Sequence, residues 1–494
     1  LVSFSSGNSE TSNRPAWYTT TFRKQLGGGQ MPNDPLPANA SLDQVDPNWA
    51  WATYQSSDAV PWNLERASHL FRRAGVAAPW PQLQWSLKAG CRETVELLMA
   101  GSPETASLYE EFRSTASALR GSNSRELLPA WWLHVMLRTP HPLLEKMTLF
   151  WHGHFATSAA KVTDGLMMYR QNELLREHAL GKFGPLLSAM AKDPAMLVWL
   201  DSVTNRKTHP NENFAREVME LFCLGLGNYT EADIKEAARA FTGWELRQGV
   251  FRVNRHQHDD GTKNVLGSTG KWNGDDIIRI LLEQPAAGRF IARKVFRYLV
   301  SDELEVPAKL IEPLAEGLRR HDYDSGWLVR TILSSNLFYS PLAIGQKIKA
   351  PVEFAVGLVR MLEGTSNANA LADDLKNLGQ AVFYPPTVKG WDGGENWINS
   401  STLLGRANLV WALVGNSDGR YADKVPLAKL SALKGIDKPA DVVGRMVDLL
   451  LGSRLTNEVI VRLTTLAADK SGDEQQRLAR VVQAIATLPE FQLA

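Results

Sequence analysis

From Pro61 to its C-terminus this chain repeats apolar residues at intervals of three and four, and that period constrains its fold more than any other feature. Leu64, Ala67, Leu70 and Phe71 make the first stripe, which Pro79 and Pro81 are expected to break. Helical windows follow at Cys91–Ala100, Pro103–Leu119, Arg125–Leu137 and Pro142–Phe155. They resume at Gly274–Leu282, Ala286–Leu299, Ala308–His321, Gly326–Leu333, Lys349–Gly364 and Ala368–Leu378, and at least three more lie beyond Leu403. The expected fold is mainly α, a multi-helix globular bundle or array with long functional loops over a central pocket. At most a short β-hairpin is expected, around Val250–Thr269. Residues 1–60, rich in Ser, Asn, Pro and Gly, are expected to form an extended arm. Residues 61–400 would be the helical core, and 401–494 a C-terminal helical segment packed on it.

Charge excludes some functions. With Lys+Arg at 54 against Asp+Glu at 53, no broad electrostatic footprint for nucleic acid or an anionic membrane is expected. No apolar run approaches the roughly 18–20 residues of a membrane helix, so no transmembrane segment is expected. Cys91 and Cys223, the only cysteines, sit among apolar neighbours and read as buried free thiols. The chain begins at Leu1 rather than Met, which is compatible with a cleaved export signal upstream.

The densest ionisable stretch is Asn205–Trp244, which reads as two helices joined by Gly225-Leu226-Gly227. Phe214, Val218, Leu221 and Phe222 recur at the spacing of a buried face. Asn213, Arg216, Glu217 and Glu220 line the polar stripe beside it. On a regular helix Glu217 and Glu220 would have Cβ atoms about 5–6 Å apart, close enough to separate their pKa values into an acid and a base. Arg216, at four-residue spacing from both Glu212 and Glu220, supports the plainer reading of an ion-paired helix face. The second helix opens on Thr230-Glu231-Ala232-Asp233, a capping box.

Two His-x-His pairs are the next candidates. His152 and His154 would lie about 200° apart on a helix, too far round to share an ion unless the helix frays at Gly153. His256 and His258 precede Asp259 and Asp260 in a loop-like stretch. Together these groups could supply nitrogen and oxygen ligands for a divalent transition metal, with His152, His154 and His256 as the ligands expected first. The spacing matches no compact metal motif. Among sixteen tryptophans, Trp244, Trp272, Trp391 and Trp397 stand beside glycine, proline or polar residues. Such aromatic faces suit sugars, and equally suit anchors under loops. The Gln380–Thr402 stretch, fixed by Pro385-Pro386 and Gly393-Gly394, would present Lys389, Trp391 and Trp397 as a pocket wall or a rigid lid.

HLFRRAG (His69–Gly75), FWHGHF (Phe150–Phe155), the Pro210–Trp244 helices, HDDGTKNVLG (His258–Gly267), YPPTVKGWDGGENWI (Tyr384–Ile398) and LPEFQ (Leu488–Gln492) occur in this order. Together they resemble a large bacterial family known as domain of unknown function 1800. The resemblance implies an exported, periplasmic or extracellular protein, encoded beside a partner of the sulfatase and alkaline phosphatase type. Its recurring polar positions fall here on His152, His154, Asn211, Glu212, Asn213, Glu217, Glu220, His258, Asp259, Lys263, Lys389 and Trp391. Gly153 stands where the family usually carries a larger polar residue.

The expected function is that of an enzyme acting on an extracellular or cell-wall polysaccharide. Glu217 and Glu220 would be acid and base, with Glu212 or Asp259 as the alternative second acid, or a histidine such as His258 would serve as base in an elimination. Lys263, Lys389, Trp391, Trp397, Asn213 and Trp244 would hold the substrate. The competing expectations are a metal-dependent hydrolase or oxidoreductase and a non-catalytic envelope protein.

Overall fold

A computed structural model describes residues 36, 40–116, 124–302, 305–415, 418–421, 425–453 and 455–494; the expected arm over 1–35 and 37–39 lies outside the described residues. The fold is mainly α, as the apolar period predicts. The first stripe becomes helix Leu64–Gly75, opened by the Asn63 side chain accepting the Arg66 N–H, and it buries Ala67, Leu70, Phe71 and Ala74. Similar caps open Gly165–His178 at Asp164, Gly274–Glu283 at Asn273 and Ser325–Leu333 at Asp324. Each is worth about 1 kcal/mol, because it satisfies an N–H that the first turn leaves without a partner.

Helix Pro142–His154 is buried on nearly every side and forms the axis of the body. Its interior charges are matched. Glu145 receives Arg176 at 2.6 Å and the Tyr109 hydroxyl at 2.5 Å, and Lys146 pairs with Glu353. Trp151, fully buried, donates its indole N–H to the Ala179 carbonyl at 3.0 Å. The C-terminal helices are tied to this body by Arg406, which reaches the Lys349 carbonyl at 2.8 Å and Gln492 at 3.2 Å. Among the described residues no helix is long and apolar enough to cross a membrane. Cys223 is buried, Cys91 half-buried, and both are free thiols.

Three local features depart from the sequence reading. The first stripe does break before Pro79, but helical structure resumes at once, the two prolines beginning helix Trp80–Ala89, where the first turn needs no N–H from proline. Within 1–60, helix Pro47–Trp51 packs into the body through buried Trp49 and Ala50. The expected single hairpin is two ribbons: β1 (Trp244–Arg247) pairs antiparallel with β2 (Val250–Val253), and β3 (Lys263–Val265) with β4 (Ser268–Gly270). Between β1 and β2 the turn runs through Gln248 and Gly249, both at positive φ (53° and 75°), the geometry that tight hairpins favour.

Candidate functional site

A cavity of about 190 Å³ opens where four elements meet. These are the C-terminal end of Pro142–His154, the second half of helix Pro285–Leu299, the start of helix Pro351–Met361 and the irregular segment carrying Lys389, Trp391 and Trp397. The segment is bolted to the axial helix. Gly390, at φ +87°, lies so close that a Cβ there would stand 2.4 Å from the Gly153 carbonyl oxygen, so only glycine fits. A few residues earlier the Phe383 N–H donates to His152 Nε2 at 3.0 Å.

His152 is thereby a core residue. Its ring packs against Trp132, Phe383 and Trp391, and burial pushes its pKa down to about 3. His154 is different. It lines the cavity, and its Nε2 lies 2.9 Å from the Phe222 carbonyl oxygen. A carbonyl can only accept, so Nε2 carries the proton and Nδ1 is left with its lone pair. That Nδ1 is buried and has no hydrogen-bond partner in the protein. Burial first, and then the charge of Lys294, hold His154 well below the usual imidazole range, against the opposing bond to Phe222.

Helix Pro285–Leu299 presents Lys294, Arg297 and Tyr298 to the same space, three and four residues apart on one face. Burial, with the charges of Arg297 and Lys389, pushes the Lys294 amine down to about 8. Its nearest ring is Phe290, with Nζ 5.3 Å from the centroid, and among the described residues no carboxylate pairs with it. Arg297 Nε is also buried without a partner.

The acids of the cavity are already committed. Asp302 accepts from Lys347 at 2.5 Å and from the Ile348 N–H at 3.0 Å. Glu353 pairs with Lys146 and accepts the Ala350 N–H at 2.9 Å. Burial alone would raise the Glu353 carboxyl; the charges of Lys146 and Lys347 outweigh that and hold it below the usual carboxylate range. Asp392 takes Lys389 at 2.8 Å at the exposed rim. Lys294 and Arg297 are therefore the positive excess of the site. Arg73 and Arg406, whose pKa values feel the Glu353 charge, are buried too, adding to the positive potential of this side of the interior.

Of the residues expected from sequence, the cavity gathers His154, Lys389, Trp391 and Trp397. It does not gather the rest. Glu212 bonds Arg216 at 3.2 Å, and Arg216 also grips Glu231 through two contacts of 2.8 Å, as the plain ion-paired reading has it. Glu220 accepts the Tyr229 hydroxyl at 2.8 Å. Glu217 is half-buried, its carboxyl raised by burial and by the Glu220 charge against Arg216. The regular helix expected to align this pair stops at Glu217 and continues as a π-helix over Val218–Cys223. Asn213 opens the helix, exposed, with its N–H on Asn211 at 2.9 Å.

The remaining candidates brace the ribbons. Asp259 is forked by Arg239 at 2.8 and 3.2 Å, a bond that lowers its carboxyl. Lys263 is buried and donates to the carbonyls of Asp259 at 2.5 Å and Gly261 at 3.0 Å. His258 Nδ1 donates to the Thr242 carbonyl at 2.9 Å, and Trp244 packs edge-on between Phe241 and Phe251. His256 is exposed. The metal ligands expected first, His152, His154 and His256, do not converge. His152 spends Nε2 on a backbone N–H, and no group of three His, Cys, Asp or Glu side chains among the described residues is arranged to hold an ion.

Sequence reasoning passed over Lys294, Arg297 and Tyr298. Their signal was present: with Phe290 they occupy positions i, i+4, i+7 and i+8, placing two cations on the half-buried side of an amphipathic helix.

Comparison with curated proteins and with solved structures finds no match. The chain belongs to the family described as protein of unknown function DUF1800, whose family model matches residues 69–493.

Proposed function

We propose that the cavity between His154, Lys294 and Trp391 is the working site of an enzyme acting on an envelope or extracellular polysaccharide, by a lyase-type elimination with His154 as the proton acceptor. The observation that carries this reading is the unpartnered, buried Nδ1 of His154, a residue of the cavity wall whose ring feels the charge of the unpaired Lys294. A buried acceptor without a donor costs about 1–3 kcal/mol, a cost that a bound ligand would relieve. Trp391, half-buried at the cavity, supplies an aromatic ring of the kind on which sugars stack, over the buried Trp397 of the same wall.

Elimination is favoured over hydrolysis by two carboxylates, because Asp302, Glu353 and Asp392 are each engaged by a lysine. The base takes the proton next to an electron-withdrawing carbonyl group, and its electrons form a carbon–carbon double bond. The neighbouring carbon–oxygen bond breaks, and the departing oxygen takes a proton from water. In the free protein the Lys294 charge depresses His154; a negative group covering Lys294 would lift that depression and strengthen the base when substrate is present. An exported location, implied by the family resemblance, is part of the proposal.

The test is a panel of acidic and neutral polysaccharides, followed by the ultraviolet absorbance of new double bonds and by new reducing ends. Double bonds formed by the wild type and lost in Lys294→Met support elimination. New reducing ends without double bonds would replace it with hydrolysis. Binding without turnover across the panel would leave the non-catalytic reading standing.

A further inference from the structure

We propose, building on the polysaccharide reading, that the unit held in the cavity is an acidic sugar, with its carboxylate between Lys294 and Arg297 and, in the resting complex, one of its hydroxyls donating to His154 Nδ1, a contact that gives way when the imidazole takes the carbon-bound proton.

The charge requirement comes from pairing. Lys347, Lys146 and Lys389 each have their own carboxylate, whereas Lys294 and Arg297, three residues apart on one helical face, have none among the described residues. Arg297 Nε is buried and unsatisfied. A planar carboxylate meets a guanidinium and an amine with charge-assisted hydrogen bonds, roughly twice as strong as neutral ones.

The hydroxyl requirement comes from His154. Its Nε2 proton is committed to Phe222, so the ligand atom facing Nδ1 must donate. A carboxylate cannot do so, and neither can a fully ionised phosphate or sulfate. A simple anion would satisfy the cations and leave the imidazole lone pair stranded. A neutral sugar would satisfy the imidazole and leave two cations desolvated. A sugar acid carries both groups on one ring, beside the aromatic ring of Trp391. The volume agrees: about 190 Å³ has room for a sugar ring.

The charge on Lys294 gives the binding event a proton signature. The amine is held at about 8 in the free protein, so an anion seated on it raises its proton affinity, and binding near pH 8 takes up a proton.

The experiment is calorimetric titration of the full chain with galacturonate, glucuronate, glucose and sulfate at pH 8, in two buffers of different ionisation heat. It is accompanied by ¹⁵N spectra of the histidine rings. The expected result is uronate binding with proton uptake, weakened about tenfold or more for glucose, for sulfate and in Lys294→Gln, with the His154 Nδ1 resonance shifted by uronate but not by sulfate. Because the spectra use the wild type, they stand even where a His154 variant fails to fold. Glucose binding as tightly as uronate, with no loss in Lys294→Gln, would overturn the acidic-sugar assignment and leave the polysaccharide reading intact. Sulfate binding as tightly as uronate would make this a bare anion site. Uronate binding that leaves the His154 resonance unmoved would remove the hydroxyl contact. Failure of every sugar and every polysaccharide to bind would sink both readings together.

Discussion

His154 and Phe222 meet across the core, the imidazole Nε2–H donating to the Phe222 carbonyl at 2.9 Å. Phe222 belongs to the last turn of the π-helix Val218–Cys223, where carbonyls have run out of helical N–H partners. The bond fixes the histidine's tautomer and turns its lone pair away from the glutamate helix. The Asn205–Trp244 stretch, which dominates the sequence by its density of charge, thus orients a group on the cavity wall while its own carboxylates stay outside. π-helical turns of this kind recur at functional sites.

Lys294→Met is expected to stabilise the protein at pH 7 by on the order of 1–3 kcal/mol while weakening ligand binding. The folded-state pKa is about 8 against an ordinary 10.5, so below pH 8 the amine is charged in both states and the fold bears the full cost of burying it. As pH rises from 8 towards 10.5 the folded state sheds its proton first, and the wild type gains stability. Urea melts of both proteins at pH 7, 9 and 10.5 should therefore converge. A constant gap would show that the charge of Lys294 is not what destabilises the fold.

The Lys146–Glu353 pair under the cavity should behave in the opposite sense. Both side chains are almost wholly buried, so removing one partner strands a charge. Glu353→Gln is expected to cost about 3–5 kcal/mol, lowering the thermal midpoint by many degrees. The Glu353 carboxyl is held below its ordinary 4.5, so its contribution is present above that pH and drains away as acid titrates the folded carboxylate. The acid limb of the wild-type stability curve should accordingly flatten in Glu353→Gln.

Helical periodicity made the fold legible because it records burial, and burial decides the class: the windows at Cys91–Ala100 and Pro142–Phe155 became helices Cys91–Ala100 and Pro142–His154. Trp80–Ala89 was hidden because proline both breaks helices and begins them, and only tertiary context decides which. At the site, the loop carrying Lys389, Trp391 and Trp397 was readable because prolines and glycines fix it in place. Glu217 and Glu220 lie outside this cavity, which the sequence could not show: a run of charged residues at helical spacing looks alike whether it meets a ligand or solvent, and the π-helix that follows Glu217 leaves no mark in the sequence. Lys294 was overlooked for the converse reason. A lone lysine is ordinary in sequence and becomes exceptional only where the fold removes its partners and its water.

Glu217→Gln tests the carboxylate pair directly. Burial and the Glu220 charge raise the Glu217 carboxyl, so ionising it opposes folding at neutral pH, and stability falls as pH climbs through 4.5. The variant should lie within about 1 kcal/mol of wild type at pH 7, on the stabilising side, and should keep its activity. A loss of turnover of a hundredfold or more, with stability intact, would return the carboxylate pair to the centre of the mechanism; about 10²–10⁴-fold is what a general acid or base contributes.

Gly153 separates the cavity from the fold that builds it. It lies in the last turn of the axial helix, it lines the cavity, and a Cβ there would meet nothing within 4 Å. Gly153→Ala should therefore raise stability by about 0.5–1 kcal/mol, since alanine loses less backbone entropy on entering a helix and nothing clashes. Gly153→Phe directs a ring into the space a ligand would fill and, pointing away from the packed core, should leave the thermal midpoint close to that of the alanine variant. Ligand binding measured on the two proteins side by side then isolates occupancy of the cavity. Binding kept by alanine and abolished by phenylalanine places the ligand against the end of this helix, whereas binding that survives phenylalanine moves it to another part of the surface.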